Sequence, residues 1–156
     1  MAQVKSEYKK GIDFSKYETY SFGGWHEDGD SPLGDKNKSA VEQQLKKELK
    51  SRGLVQTDQQ PDAYFILLIV LQNDAGNSMV GNNQMGEFEV HTDKNWSDQV
   101  SKDYLKGYFA IEMYDRDTRK LVWKGTVRKI GKAHPEKRAT IISKKLKKLM
   151  KKFPIK

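Results

Sequence analysis

The chain has 156 residues, 32% of them charged, and a formal net charge of +8 at pH 7. That length suits one domain with a substantial core, so we expect a single domain over residues 1–156. No cysteine is present, which excludes disulfides, thiolate metal sites and cysteine nucleophiles, while the positive charge favours partners with a negative surface.

The chain begins with residues 1–16, which we expect to be an extended N-terminal segment. Tyrosine, threonine and phenylalanine in the segment Glu18–Phe22 favour a short strand, and Gly23-Gly24 should end it.

A first helix is predicted from a capping box, in which Ser39 accepts a backbone hydrogen bond and Glu42 reaches back to the cap. The helix should therefore start at Ser39. Gly53 suits a left-handed C-terminal residue, so the helix should end near Arg52. Its apolar stripe is Val41, Leu45 and Leu49.

The uniformly apolar run Ala63–Leu71 predicts a central strand buried on both faces. A strand, helix, strand order predicts that the first two strands are parallel. The run is far shorter than the roughly 20 residues of a membrane-spanning helix. Residues 73–106 are rich in turn-forming residues and predict a long, partly mobile loop, in which Glu87–His91 alternates enough for another strand.

Alternating residues in Gly107–Asp115 and Leu121–Ile130 predict an antiparallel hairpin. The tight connector should force a residue near Arg119 to positive φ, which costs about 1 kcal/mol for a residue with a side chain.

Pro135 suits the first turn of a final helix, because proline lacks an N–H that the first turn does not need. Its apolar stripe is Ala139, Ile142, Leu146, Leu149, Met150 and Phe153, and its opposite face carries Lys144, Lys147, Lys148 and Lys151. The lysine face either keeps the domain soluble or contacts anionic headgroups, where each basic side chain contributes about 1 kcal/mol.

These elements predict an α+β fold in the order β-α-β-β-β-β-α. We expect a mixed, mostly antiparallel sheet of four to five strands, with two helices packed on one face.

No catalytic or cofactor-binding pattern is present. His26, His91 and His134 lie in separate segments without metal-ligand spacing, so solvent-exposed histidine is the better interpretation. Asp103, Asp115 and Asp117 could suggest acid/base chemistry, but aspartate in such positions usually tightens turns. We therefore expect a protein that is not an enzyme, without cofactor or metal.

Binding is the open alternative. Long loops on a rigid sheet often carry binding function, so Phe88, Trp96 and Tyr104 are candidate ligand or partner contacts. A cytoplasmic basic domain that binds nucleic acid is the rival function, with lysines neutralising phosphates and Trp25, Trp96 and Trp123 stacking on bases. No known nucleic-acid-binding pattern appears.

Four blocks in order also carry a family resemblance. They are Val4–Tyr8 with Ile12–Tyr20, Pro61-Asp62, Ala110–Asp115 with Lys120–Gly125, and Pro135–Lys137 with Phe153-Pro154. Together they resemble the bacterial cell-envelope lipoprotein family catalogued as domain of unknown function 4136. Arg119 stands where that family commonly has glycine.

The resemblance implies location and no activity. A domain of that family would lie on the periplasmic face of the cell envelope, held by a lipid on an upstream cysteine after removal of a signal peptide. We therefore expect an accessory or binding module, whose partner is an unknown envelope protein or an anionic membrane surface.

Overall fold

The computed structural model describes residues 3–27, 34–70, 108–128, 130 and 135–155. Within these ranges the chain forms one six-stranded sheet, two α-helices and a short 3₁₀ helix. The strands are β1 (Gln3–Tyr8), β2 (Thr19–Glu27), β3 (Val55–Gln56), β4 (Ala63–Val70), β5 (Tyr108–Asp115) and β6 (Leu121–Arg128). The helices are α1 (Asp35–Ser51) and α2 (Pro135–Met150), and the 3₁₀ helix spans Phe14–Lys16.

The strand order across the sheet is β1-β6-β5-β4-β2-β3. β2 and β4 are parallel neighbours on either side of α1 in the chain, which confirms the predicted parallel pair. β4, β5, β6 and β1 pair antiparallel in turn. The predicted α+β class is confirmed, with six strands instead of four to five.

The two additional strands lie at the edges of the sheet. β1 comes from the segment predicted to be only extended, and it becomes a strand by pairing with β6, with Val4 opposite Val127. β3 has only two residues and runs parallel to the start of β2. Neither has a strong apolar alternation of its own, so no local pattern marked it as a strand.

The core lies between the helices and one face of the sheet. Every residue of both predicted helical stripes is buried. Trp123 of β6 packs edge-on against Phe153, with ring centroids 4.7 Å apart. The ends of the two helices are joined where Arg52 Nη2 donates a 2.8 Å hydrogen bond to the carbonyl oxygen of Met150. Burial of these stripes explains why the helices pack on one face.

The start of α1 was predicted wrongly. The helix begins at Asp35, one turn before Ser39, and Lys38 N–H donates to the Gly34 carbonyl at 3.0 Å. Asp35 places a carboxylate in the first turn, where the helix dipole favours negative charge. Gly53 has φ 86° and the last helical residue is Ser51, so the C-terminal prediction is confirmed.

Two strand predictions also need correction. β2 does not end at Gly23-Gly24 but continues to Glu27, because a shift of pairing register between Phe22 and Gly24 absorbs the glycines. β4 is central as predicted, but its first half is not buried on both faces, since Tyr64 is 36% exposed and Ile66 is half-buried, whereas Leu68 further along is buried.

The hairpin predictions are confirmed. β5 and β6 pair antiparallel, and Arg119 in their connection has φ 61°. The predicted strand Glu87–His91 and the predicted loop 73–106 lie outside the described residues. Neither helix of the described ranges has the length and apolarity needed to cross a membrane.

Candidate ligand-binding cavity

The face of the sheet opposite the helices is polar. Strand register places Glu7, Lys124 and Glu112 side by side on β1, β6 and β5. All three are nearly fully buried, and Lys124 Nζ lies 3.2 Å from Glu112 Oε2. A buried charge is tolerated only with a partner, so this ion pair holds its strands in one register.

A cavity of about 410 Å³ opens on the same face, where β4 begins and β5 ends. That volume lies within the range of small-molecule sites. Tyr64 and Tyr114 stand directly opposite each other on these two strands. The lining residues are Gly23, Tyr64, Ile66, Tyr114, Asp115, Arg116 and Arg119.

Gly23 makes room beside the cavity. A Cβ atom at this position would lie 3.1 Å from Cγ1 of Ile66, closer than ordinary van der Waals contact. Because Gly23 has no Cβ atom, the side chain of Ile66 can take its place in the cavity wall.

The ring of Tyr114 is held by the buried ion pair. Its hydroxyl donates a 2.9 Å hydrogen bond to Glu112 Oε1, while Oε2 of the same carboxylate faces Lys124. The contacts from Lys124 to Glu112 and from Glu112 to Tyr114 therefore hold the ring that forms one wall of the cavity.

Asp115 forms the second fixed wall, and its carboxylate is fully occupied. Oδ1 accepts the backbone N–H groups of Asp117 at 2.8 Å and Thr118 at 2.9 Å. Oδ2 accepts the Tyr17 hydroxyl at 2.6 Å and lies 3.2 Å from Lys16 Nζ. The structure therefore confirms a turn-forming role for this aspartate.

Those contacts determine how Asp115 and Tyr17 titrate. Burial of the Asp115 carboxylate acts to raise its pKa, but the hydrogen bonds from Tyr17, Thr118 and Lys16 outweigh it and lower the pKa to about 2. Burial and the hydrogen bond to Asp115 raise the pKa of Tyr17. At neutral pH the carboxylate is ionised and the phenol is protonated.

Asp62 ties the cavity edge to the start of β2. Its Oδ2 accepts the backbone N–H groups of Glu18 at 2.8 Å and Thr19 at 3.1 Å, and these bonds lower its pKa despite partial burial. Its carbonyl oxygen accepts the N–H of Arg116 at 3.1 Å. The Pro61-Asp62 block thus has a structural function next to the cavity.

Two arginines lie at the rim of the cavity. Arg116 is engaged by the protein, since Nη1 donates to the Gln60 carbonyl at 3.0 Å and Nε lies 3.1 Å from Asp117 Oδ1. Arg119 is exposed, and its guanidinium forms no hydrogen bond or ion pair with the residues that the structure describes. Among the lining residues that the structure describes, Arg119 is therefore the rim cation available to a ligand.

The predicted lysine contacts do not line this cavity. Lys144, Lys147 and Lys148 are exposed on α2 and Lys151 directly after it, and the helices cover the other face of the sheet. Their role as an anionic-surface contact stays a prediction. Phe88, Trp96 and Tyr104 lie outside the described residues.

Two of the tryptophans proposed for base stacking have structural partners instead. Trp123 is fully buried, and Trp25 donates a 2.6 Å hydrogen bond from Nε1 to Glu42 Oε2. Neither the fold nor any of these contacts adds support for nucleic-acid binding.

The histidines give no metal site in the part of the chain that the structure describes. His26 is exposed, and His91 and His134 lie outside the described residues. In those ranges no three histidine, aspartate or glutamate side chains are placed to share a metal ion.

Sequence reasoning missed Tyr64 and Arg116 as cavity residues. Tyr64 stood within a run interpreted as buried, and the cavity depends on its register with Tyr114, fifty positions later. The sequence pointed to this region only through Arg119, because an arginine at a turn position that favours glycine suggests a functional side chain.

The comparisons agree with this fold. A DUF4136 family protein from Bacteroides thetaiotaomicron superposes with a TM-score of 0.67 at 10% identity, over 99% of this chain and 96% of that chain. A PDZ domain protein from Parabacteroides distasonis gives 0.61 at 12% identity, over 99% of this chain and 37% of that one. PelC from Paraburkholderia phytofirmans, a dodecamer, gives 0.50 at 13% identity, over 96% and 98%.

At these identities the structural likeness shows the fold alone. No curated protein matches the sequence. The family described as "Domain of unknown function (DUF4136)" matches residues 4–155, nearly the whole chain. The chain therefore belongs to the DUF4136 family, as its four sequence blocks predicted.

Proposed function

We propose that this domain is a non-enzymatic binding module of the bacterial cell envelope. The observation that carries the proposal is the cavity of about 410 Å³, whose walls at Tyr114 and Asp115 are fixed by contacts within the protein. Rigid, concave sites with a few oriented polar groups are typical of small-molecule binding.

The chemistry of the lining supports binding over catalysis. Asp115 is the carboxylate among the described lining residues, and a general acid or base needs a pKa near the working pH. The pKa of this group is about 2, and both of its oxygens already accept hydrogen bonds. It is therefore a poor proton donor or acceptor for a substrate.

The location at the envelope rests on the family resemblance. In this proposal a lipid upstream of Val4 holds the domain at the periplasmic face of a membrane. α2 packs beside β1, the strand that contains Val4, so a tether there would keep the lysine face of α2 near the lipid surface. Anionic headgroups would then attract Lys144, Lys147, Lys148 and Lys151.

The partner is an envelope component of unknown identity. The same fold assembles into a dodecamer in PelC, so other copies of this chain are among the partners that the proposal allows.

Mass spectrometry of the mature protein from its own cell tests the location. A lipid-modified cysteine upstream of Val4 supports an envelope domain, and an unmodified start near Met1 overturns it.

A thermal-shift screen of envelope metabolites and glycan fragments tests the binding role. A ligand that binds only the folded state raises the melting temperature. We expect at least one such ligand to stabilise the wild type but not Tyr64→Ala, and to be recovered unchanged. Conversion of the ligand to a product, or stabilisation that Tyr64→Ala does not affect, would contradict the proposal.

A further inference from the structure

We infer that the cavity binds a small ligand carrying a carboxylate or phosphate group on a ring, with Arg119 binding the oxyanion and Tyr64 contacting the ring. The inference deepens the proposed binding function and rests on it. It names the chemical class of ligand that the rim and walls fit.

The charges of the described rim residues leave one cation for the ligand. Asp117 offsets Arg116, and Lys16 offsets Asp115. The guanidinium of Arg119 faces no such partner among the described residues. A planar guanidinium presents paired N–H donors that match the two oxygens of a carboxylate or the edge of a phosphate.

The backbone conformation of Arg119 supports a functional role for its side chain. With φ 61° the position favours glycine, and an arginine there is strained. Asp115 and Thr118 already form the turn through the aspartate carboxylate, so nothing in the turn itself requires the guanidinium. Residues held in disfavoured conformations are frequently those with a function.

The walls beside the arginine are aromatic and moderately apolar. Tyr64 is 36% exposed and stands opposite Tyr114 across the β4–β5 pair, with Ile66 two residues further on the same face of β4. Exposed tyrosine provides a large, rigid contact area with a polar tip, suited to a ring with hydroxyl groups. The cavity volume limits the ligand to the size of a small molecule.

The test titrates the intact protein with four probes. Binding of each probe is measured from the chemical shifts of the backbone amides. Glucuronate and glucose 1-phosphate each carry an oxyanion on a ring. Glucose supplies the ring alone and inorganic phosphate the oxyanion alone. We expect at least one of the two combined probes to bind saturably at the cavity residues, at least tenfold more tightly than glucose or inorganic phosphate. Comparing these two separates a carboxylate ligand from a phosphate ligand.

Three variants assign the contacts. Arg119→Gln removes the charge while keeping a side chain at the strained position, and should weaken binding at least tenfold. Tyr64→Ala should weaken it similarly. Lys120→Gln is the matched control, because Lys120 is an exposed cation of the same turn that does not line the cavity. It should leave the affinity within twofold of the wild type.

Each of the following outcomes would contradict the inference. Absence of binding by both combined probes overturns the inference, as does binding that Arg119→Gln leaves unchanged. Inorganic phosphate that binds as tightly as glucose 1-phosphate would contradict the role of the ring. A neutral ligand found by thermal shift would sink this inference and leave the binding module intact.

Discussion

The hydroxyl of Tyr17 donates a 2.6 Å hydrogen bond to Oδ2 of Asp115, which lies 98 residues later in the chain. This bond joins the segment before β2 to the turn between β5 and β6. Both residues belong to blocks that carry the family resemblance, so these blocks meet at the edge of the cavity. The hydrogen bond between Tyr17 and Asp115 also couples folding stability to the ionisation of one carboxylate.

We expect acid to destabilise the protein through Asp115. The pKa of this group is about 2 in the folded state, against an ordinary value of 3.8. A lowered folded-state pKa means that the stabilisation is complete above the unfolded-state pKa and is lost as pH falls from about 5 to 2. It amounts to about 2 kcal/mol. Urea unfolding at pH 7 and pH 2.5 measures the loss.

Tyr17→Phe should reduce this pH dependence. The variant leaves Asp115 without its shortest hydrogen bond, so the free energy of unfolding at pH 7 should fall by about 1–2 kcal/mol. At pH 2.5 the difference from the wild type should shrink, because the carboxylate is becoming protonated in both. Tyr20→Phe is the control: Tyr20 is equally buried but bonds to no carboxylate in the described residues, so any loss should be independent of pH. An equal pH dependence in the two variants would refute the coupling.

Arg119→Gly should stabilise the protein. At φ 61° glycine avoids a steric cost of about 1–2 kcal/mol but adds backbone entropy to the unfolded state, leaving a net gain of about 0.5–1 kcal/mol. Thermal denaturation measures the gain.

Lys120→Gly provides the comparison for that gain. Lys120 is the next exposed residue and is not among the residues at positive φ, so glycine there should lower the melting temperature. If both glycine variants lower it, the conformation of Arg119 is not strained.

Local patterns predicted the parts of the fold that depend on neighbouring residues. The stripe of α2 repeats within each turn, and the positive φ at Arg119 follows from the length of one hairpin, so both were visible in sequence. The capping box predicted that α1 starts at Ser39, but the helix starts one turn earlier, at Asp35. Local reasoning missed this first turn, because tertiary packing decides how far a helix extends.

The missed features depend on contacts between distant segments. β1 is a strand because β6 pairs with it, more than 100 positions later. The cavity requires Tyr64 and Tyr114 to meet in register, and no pattern within either strand specifies that pairing. Buried Lys124 is similarly unexpected, since an alternating strand predicts its polar face to be in water.

The pair of Lys124 and Glu112 should be costly to break. Lys124→Met leaves the Glu112 carboxylate buried without its cation, and we expect the free energy of unfolding to fall by about 3–5 kcal/mol. Lys147→Met is the matched control on exposed α2 surface and should change it by less than about 0.5 kcal/mol.

A double variant, Lys124→Met with Glu112→Leu, separates pairing from packing. Replacing both charges by apolar groups should recover part of the loss, since the Glu112 carboxylate is gone while the buried Glu7 carboxylate beside position 124 remains. Urea unfolding of the wild type, the two single lysine variants and the double variant gives the comparison. A double variant as unstable as Lys124→Met would show that the unpaired Glu112 carboxylate is not the source of the loss.

Gly125 sets how closely α2 approaches the sheet. A Cβ atom there would lie 2.5 Å from Cη2 of Trp123 and 2.8 Å from Cδ2 of Leu149, and both neighbours are fully buried. Neither can move aside without displacing others, because protein interiors are close-packed. We therefore expect Gly125→Ala to lower the free energy of unfolding by about 1–3 kcal/mol and to change the near-ultraviolet circular dichroism of Trp123. Gly23→Ala is the control, since its Cβ would come no closer than 3.1 Å to another atom, Cγ1 of half-buried Ile66, and should cost less. Equal losses in the two variants would show that the added methyl group, and not the contact between α2 and β6, determines the effect.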